Sequence, residues 1–264
     1  MHLYQPKKGL LSIIKICMKK DIVIYTAISG NYDSLKEPKI VSDKCDYVCF
    51  TDKPLKSKVW QLRKFDETLS DNTRTSRRVK ILPHKYFSEY KYSVWIDANI
   101  VIKRDIISLI YNLFFKKKEK MALFRHPSKR SSIIDEVNRC IILKKDGKEI
   151  MQEQVRNYFN AGFPNIVNEF PATFILFRKH NENKLKLVME DWWEEVSRYS
   201  KRDQLSLPFV LWKHNFGVYL IDQNPIFLNY FKLKSHKASN HCEFLKNFVK
   251  DTVREIKDYK FTQT

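Results

Sequence analysis

Tyr92-Ser-Val-Trp-Ile-Asp97-Ala-Asn99-Ile-Val-Ile102 is the stretch on which the reading of this chain turns. Its first five residues are a β-prone, largely apolar run, which predicts a buried strand. Asp97 then falls at the carboxyl end of that strand, the edge where open α/β sheets bind ligands. A carboxylate at i and a carboxamide at i+2 are separated here by Ala98, a residue too small to block access. Two oxygen ligands so spaced suit a hard divalent cation holding a phosphate. An Asx turn closing the strand would use the same residues with no ligand at all, so the discrimination rests on the rest of the chain.

Outward from this stretch the pattern alternates. Residues 21–27, rich in Ile, Val and Tyr, read as a first strand that breaks at Ser29-Gly30-Asn31. Residues 46–51 read as a second strand, again ending on a carboxylate, Asp52. Asp71-Asn72-Thr73 precedes a basic helix from Arg74 to about Tyr90, kinked or divided by Pro83. Helix is expected at 106–115 and over most of 131–160, and strand at 121–124 and 172–177. The strongest helical period spans 184–199, where Leu185, Val188, Met189, Trp192, Val196 and Tyr199 share a face; Trp192 and Trp193 there read as core and rim packing. A short helix at 203–212 and a strand at 218–221 follow. Strands alternating with helices predict a largely parallel sheet covered on both faces.

The 264 residues and the 43% hydrophobic and 14% aromatic content supply a core, and with 5 Gly the chain has no room for flexible linkers or a glycine-rich phosphate loop. One domain over 21–240 is expected, with extensions at 1–20 and 241–264. Lys and Arg number 49 against 30 Asp and Glu, a net charge of +19. Nucleic acid, an anionic membrane surface or anionic substrates would each account for that excess. Its clusters, such as Lys116-Lys117-Lys118, carry no RNA-recognition, zinc-finger or helix-turn-helix pattern, so specific nucleic-acid binding is not expected. Cys17, Cys45, Cys49, Cys140 and Cys242 lack Cys-x-x-Cys spacing and read as reduced thiols of a cytoplasmic protein. Residues 10–18 are apolar between Lys7-Lys8 and Lys19-Lys20, too short to span a bilayer, for which ~20 residues are needed. They read as an interfacial basic helix or as a leader.

Several blocks, taken in order, carry a resemblance: Tyr25-Thr-Ala-Ile-Ser-Gly-Asn-Tyr-Asp33, Cys49-Phe-Thr-Asp52, Arg77-x-x-Lys80-Ile-Leu-Pro-His84, Trp95-Ile-Asp97-Ala-Asn99, His126-Pro127 and Arg202-Asp203-Gln204. Over about residues 21–236 the chain resembles a glycosyltransferase-like family of the GT-A type. Plant mucilage-related and tapetum-degeneration-related proteins share this domain with many bacterial surface-polysaccharide proteins. The resemblance implies a single GT-A-like α/β domain with a mostly parallel central sheet and helices on both faces. It implies an enzyme of polysaccharide biosynthesis that moves a hexose or hexuronic acid from a nucleotide-diphosphate sugar to a glycan or lipid-linked acceptor.

The same resemblance distributes roles. Thr26 and Ala27 would line the nucleotide pocket and Asp52 would select the base or ribose, with a turn cap as its alternative. Arg77 and Lys80, three apart on one helical face, would approach the diphosphate or sugar, whereas Arg74 and Arg78 read as solvated. Asp97, Ala98 and Asn99 would hold metal or sugar, and His236 would complete the metal shell, with His241 as fallback. Carboxylate, carboxamide and imidazole together favour Mn²⁺, with Mg²⁺ as the other candidate. Asn99 in place of a second acid weakens cation affinity and motivates the alternative of an inactive sugar-nucleotide or polyanion binding module. Asp203 is the candidate base or sugar contact, or else a helix cap, with Gln204 beside it. His126 and Glu169 fall to the acceptor side, and Arg178 would pair with phosphate or a neighbouring acid.

Overall fold

Strand β1 (Ile22–Ile28), Ile-Val-Ile-Tyr-Thr-Ala-Ile, is buried along nearly its whole length because sheet covers both of its edges and helices both of its faces. The computed structural model describes residues 20–30, 32–127, 132–166, 170–222 and 226–235. After β1 come β2 (Cys45–Thr51), β3 (Gln61–Arg63), α1 (Asn72–Ile81), α2 (Pro83–Tyr86), β4 (Tyr92–Ile96) and β5 (Ile100–Ile102). Helix α3 (Ile107–Tyr111) continues into a π-helical turn (Asn112–Lys116) before β6 (Met121–Arg125). Then follow α4 (Ile133–Ile142), α5 (Lys148–Asn160), β7 (Pro171–Arg178), α6 (Asn183–Arg198), α7 (Asp203–Lys213), β8 (Tyr219–Ile221), α8 (Ile226–Tyr230) and β9 (Phe231–Leu233).

Seven strands make the central sheet in the order β3-β2-β1-β4-β7-β6-β8. All run parallel except β7, which is antiparallel to both neighbours, β4 and β6. The carboxyl ends of β1, β2, β4, β6 and β8 therefore share one edge. Alternation of side chains along each strand sends Val23, Tyr25, Trp95, Leu123 and Leu176 to a core formed with α1 and α4 to α7. Ile24, Ile28, Val94, Phe124 and Phe177 face the opposite core, closed by α3, α8 and the small antiparallel sheet of β5 and β9. The mostly parallel sheet with helices on both faces is thus the observed architecture. Among the described residues no helix is long and apolar enough to cross a membrane, and Cys45, Cys49 and Cys140 are buried free thiols.

The expected helix from 74 to 90 divides at Pro83, which has no amide hydrogen to continue the ladder and instead opens α2. Strands β3, β5 and β9 are three residues each, too short to show a period. Trp192 is fully buried, while Trp193 packs partly buried against the same core.

Candidate active site

Asp71 begins the site by capping α1, accepting from the amides of Thr73 at 2.7 Å and Arg74 at 3.1 Å. Side chains on a helix lean toward its amino end. Lys80, one turn beyond Arg77, therefore reaches back to the same point as Arg77, over the carboxyl end of β4. Asp203, the first residue of α7, meets them there. Its position is set by the connection from α6: Arg74 donates to the carbonyls of Val196 at 3.0 Å and Tyr199 at 2.6 Å, and Lys201 pairs with Asp71 at 2.9 Å. Trp192 Nε1 donates to the carbonyl of Asp203 itself at 2.9 Å.

The result is a four-charge cluster. Lys80 Nζ stands 2.6 Å from Asp203 Oδ2 and 3.4 Å from Asp97 Oδ1. Arg77 Nε lies 3.2 Å from Asp203 Oδ1, and its Nη1 lies 3.9 Å from Asp97 Oδ1. Trp95 Nε1 donates to the same Asp97 oxygen at 2.7 Å, and no hydrogen bond or ion pair among the described residues reaches Asp97 Oδ2. The side chains of Lys80 and Asp203 are 0% and 1% exposed, those of Arg77 and Asp97 17% and 25%. Burial alone would raise the Asp203 carboxyl, but Arg77, Lys80 and Arg202 outweigh it and hold that carboxyl well below the usual range. Burial, reinforced by Arg77, pushes the Lys80 ammonium below its ordinary value against the pull of Asp203 and Asp97.

A second contact set closes the edge at β1. The amide of Gly30 donates to Asp52 Oδ2 at 2.9 Å, and Ser29 Oγ lies 3.0 Å from Asn72 Oδ1. Gly30 has φ +66, and a Cβ there would stand 2.1 Å from Asn72 Nδ2, so a side chain at this position is strained by its backbone and has to displace the Asn72 carboxamide. Tyr32 is half exposed just beyond, with the charges of Arg77 and Asp97 acting on its hydroxyl.

Of the expected site residues, Arg77, Lys80, Asp97 and Asp203 are brought together. Thr26 and Ala27 are not open to the edge: both are buried within β1, and Gly30 is what reaches it. Asp203 does not cap α7 with its side chain; its carboxylate is taken by the two cations. Gln204 turns away to Glu136 Oε1 on α4 at 3.3 Å. Ala98 is half-buried beside Asp97. His126, at the carboxyl end of β6, is held by its amide on the Phe170 carbonyl at 2.7 Å, its ring edge-on to Phe170. Glu169, His236 and His241 lie outside the described residues.

Three arginines take other roles than expected. Arg74 fastens the end of α6, and Arg78 pairs with Asp66 at 3.1 Å and Glu67 at 3.4 Å rather than lying solvated. Arg178 pairs with no acid among the described residues. It is fully buried and donates to Tyr25 Oη and, at 2.8 Å, to the Lys80 carbonyl, where α1 ends and Pro83 leaves acceptors unmatched. Sequence reasoning missed Trp95, Ser29, Tyr32 and the buried Glu136. Trp95 and Glu136 sit at ordinary strand and helix positions, with no signal beyond apolar period.

For a divalent cation, the donors on the described residues are the open oxygen of Asp97 and the neighbouring Asn99. No group of three His, Cys, Asp or Glu gathers among the described residues. The Asn99 carbonyl accepts from the Lys234 amide at 2.8 Å, and Asn99 Nδ2 donates to the Lys234 carbonyl at 3.1 Å. Strand β9 therefore delivers the chain to Asn99 two residues before His236. The described residues that could hold a cation are therefore Asp97, which supplies the charge, and Asn99.

The chain is 24% identical over 217 residues to the probable hexosyltransferase MUCI70 of Arabidopsis thaliana, covering 72% of this chain and 37% of that protein. It is 25% identical over 228 residues to the alkaline ceramidase TOD1 of the same plant, covering 73% of this chain and 48% of that one. It thus spans less than half the length of either curated relative. Among solved structures, the apo WbbM bifunctional glycosyltransferase aligns at a TM-score of 0.44 and 12% identity, over 76% of this chain and 38% of that one. The profile of one family, described as TOD1/MUCI70, glycosyltransferase-like domain, matches residues 11–241. That span takes in the whole sheet, both cores and the ion cluster, and the chain belongs to the TOD1/MUCI70 glycosyltransferase-like domain family.

Proposed function

We propose that the chain is a glycosyltransferase moving a hexose or hexuronic acid from a nucleotide-diphosphate sugar to a glycan or lipid-linked acceptor, assisted by Mn²⁺ or Mg²⁺, in the cytoplasm at the inner face of a membrane. The observation that carries this reading is the Arg77–Lys80–Asp97–Asp203 cluster at the carboxyl edge of the sheet. Arg77 is the more exposed cation and is the one free to turn toward a diphosphate. Lys80 stays buried and holds both carboxylates in place. Asp97 would hold the cation through its open oxygen, with Asn99 beside it and His236 close in sequence to the Asn99 partner Lys234. When bound, the cation neutralises charge on the departing diphosphate. Asp52 and the Gly30 amide offer a polar rim for the nucleoside. Asp203, ionised and enclosed by cations, has little proton affinity and serves to position Lys80 and Arg77. The base for the acceptor hydroxyl falls to the acceptor side, where His126 and Glu169 are the candidates and Gln204 is not part of the ion cluster.

The two curated relatives bear different names, a hexosyltransferase and a ceramidase. Arg77, the partly exposed cation of the cluster, suits an anionic nucleotide donor, and ceramide carries no charge for it to meet. The test is a thermal-shift screen of nucleotide sugars with and without Mn²⁺, followed by turnover of the stabilising donor. Ligand that binds only the native state raises the melting point. Asp97→Ala is expected to remove the Mn²⁺-dependent stabilisation and abolish transfer. Unchanged behaviour in that variant sinks the reading. Stabilisation without turnover on any acceptor marks the binding module instead, and ceramide hydrolysis indifferent to nucleotides marks the other activity.

A further inference from the structure

The amino edge of the sheet, opposite the ion cluster, carries a different surface. Tyr111 and Phe115, one turn apart across the junction of α3 and the π-helical turn, are 52% and 51% exposed. Their rings stack at 5.1 Å with 18° between planes, and Phe115 also meets the Tyr92 ring at 5.6 Å. The core side of this element is already supplied by Leu109, Ile110, Leu113 and Phe114, so packing of the domain does not account for two more aromatic rings on the outer side. Lys116, Lys117 and Lys118 follow, all exposed, and none pairs with a carboxylate among the described residues. Lys117 Nζ lies over the Tyr219 ring at 4.4 Å. Lys44 and Lys116 line one shallow depression with Tyr111, in which Asp105 is the single acid. The adjoining loop, tied to the domain by the Lys39 amide on the Ile102 carbonyl at 2.8 Å, exposes about half of Ile40 and of Val41. Lys20, bonded to the Cys45 carbonyl at 3.0 Å, marks where the chain enters at this same edge.

We propose that this aromatic and lysine patch docks the folded domain onto the surface of an anionic lipid bilayer. Tyr111 and Phe115 enter the headgroup layer, where an amphipathic or flat apolar ring sits best. Lys44, Lys116, Lys117 and Lys118 face the lipid phosphates, each adding attraction that salt screens. The net charge of +19 complements such a surface. A protein partner fits less well, because exposed lysines are depleted where proteins bury surface against each other. Docked by its amino edge, the sheet turns its carboxyl edge and Asp97 away from the bilayer, toward soluble donor and the distal sugars of an acceptor glycan. The inference stands whether or not the sugar-transfer reading holds.

The experiment is co-flotation of the full chain with vesicles of phosphatidylcholine alone or with one third phosphatidylglycerol, comparing the parent with Y111S/F115S and K116Q/K118Q. The parent should bind the anionic vesicles and release with salt. Each double variant should lower the partition coefficient by about fivefold or more, with an unchanged melting temperature because the altered side chains are exposed. Binding indifferent to lipid charge overturns the proposal. So does parent-like binding by both variants, which would hand the affinity to another part of the chain. A chain that ignores both vesicle types, while the variants alter its oligomeric state, would make the patch a protein interface instead.

Discussion

Asp203 shows how far a residue's type underdetermines its role. An acid at a helix start reads equally well as a base, a sugar contact or a cap. The fold decides among them by placing Lys80 at 2.6 Å and Arg77 at 3.2 Å around a carboxylate that is 1% exposed. A carboxylate whose folded proton affinity is depressed adds stability that is present above the ordinary carboxyl pKa of about 4 and is lost as pH falls through its folded value. Replacing it leaves buried cations uncompensated. Asp203→Asn is therefore expected to cost on the order of 3–5 kcal/mol of stability by chemical denaturation, and adding Lys80→Met should restore a substantial part. A stable Asp203→Asn protein with intact donor binding and depressed turnover would instead return Asp203 to the role of base.

At the scale of elements, the site depends on where α1 begins and ends relative to β1 and β4. Asp71 starts the helix, Pro83 stops it, and Arg178 with Tyr25 holds the Lys80 carbonyl at its last turn. The turn after β1 is equally constrained, because Gly30 packs against Asn72 in a conformation that a side chain resists. Gly30→Ala should cost about 1–3 kcal/mol, seen as a lower denaturant midpoint. It should also weaken the thermal shift produced by nucleotide diphosphates, because the displaced turn moves the backbone amide of position 30 off Asp52. A variant of parental stability would mean that Asn72 swings aside at no cost. Much of this was legible. The proline stop and the turn at Ser29-Gly30 are written in local residue chemistry, whereas Arg178 as a helix-end donor joins residues 98 apart in sequence.

For the whole molecule, the tie between the end of α2 and the end of β7 gives a pH test. His180, just past β7, is fully buried, with Nε2 2.8 Å from the Phe87 carbonyl, which can only accept and so fixes the hydrogen on Nε2. Burial, chiefly, pushes its pKa from 6.5 down to about 4. The unfolded chain thus binds this proton first. Stability from neutral His180 is fully present above about pH 6.5 and declines as pH falls toward 4, by a total of about 3 kcal/mol. Melting curves across that window should fall more steeply for the parent than for His180→Gln. Parallel curves would mean that the imidazole titrates normally.

The sequence by itself determined the alternation of strands and helices, the mostly parallel sheet though not the antiparallel course of β7, the buried Trp192 and the gathering of Asp52, Asp97 and His126 at carboxyl ends of strands. Each of these follows from local periodicity, turn chemistry or the rule that parallel strands end on one edge. Only the tertiary structure decided that Arg77, Lys80, Asp97 and Asp203 neutralise one another, that Thr26 is enclosed, and that Tyr111 and Phe115 face outward together. Those outcomes depend on distances between segments far apart in the chain, and no local pattern encodes which charges will be buried side by side.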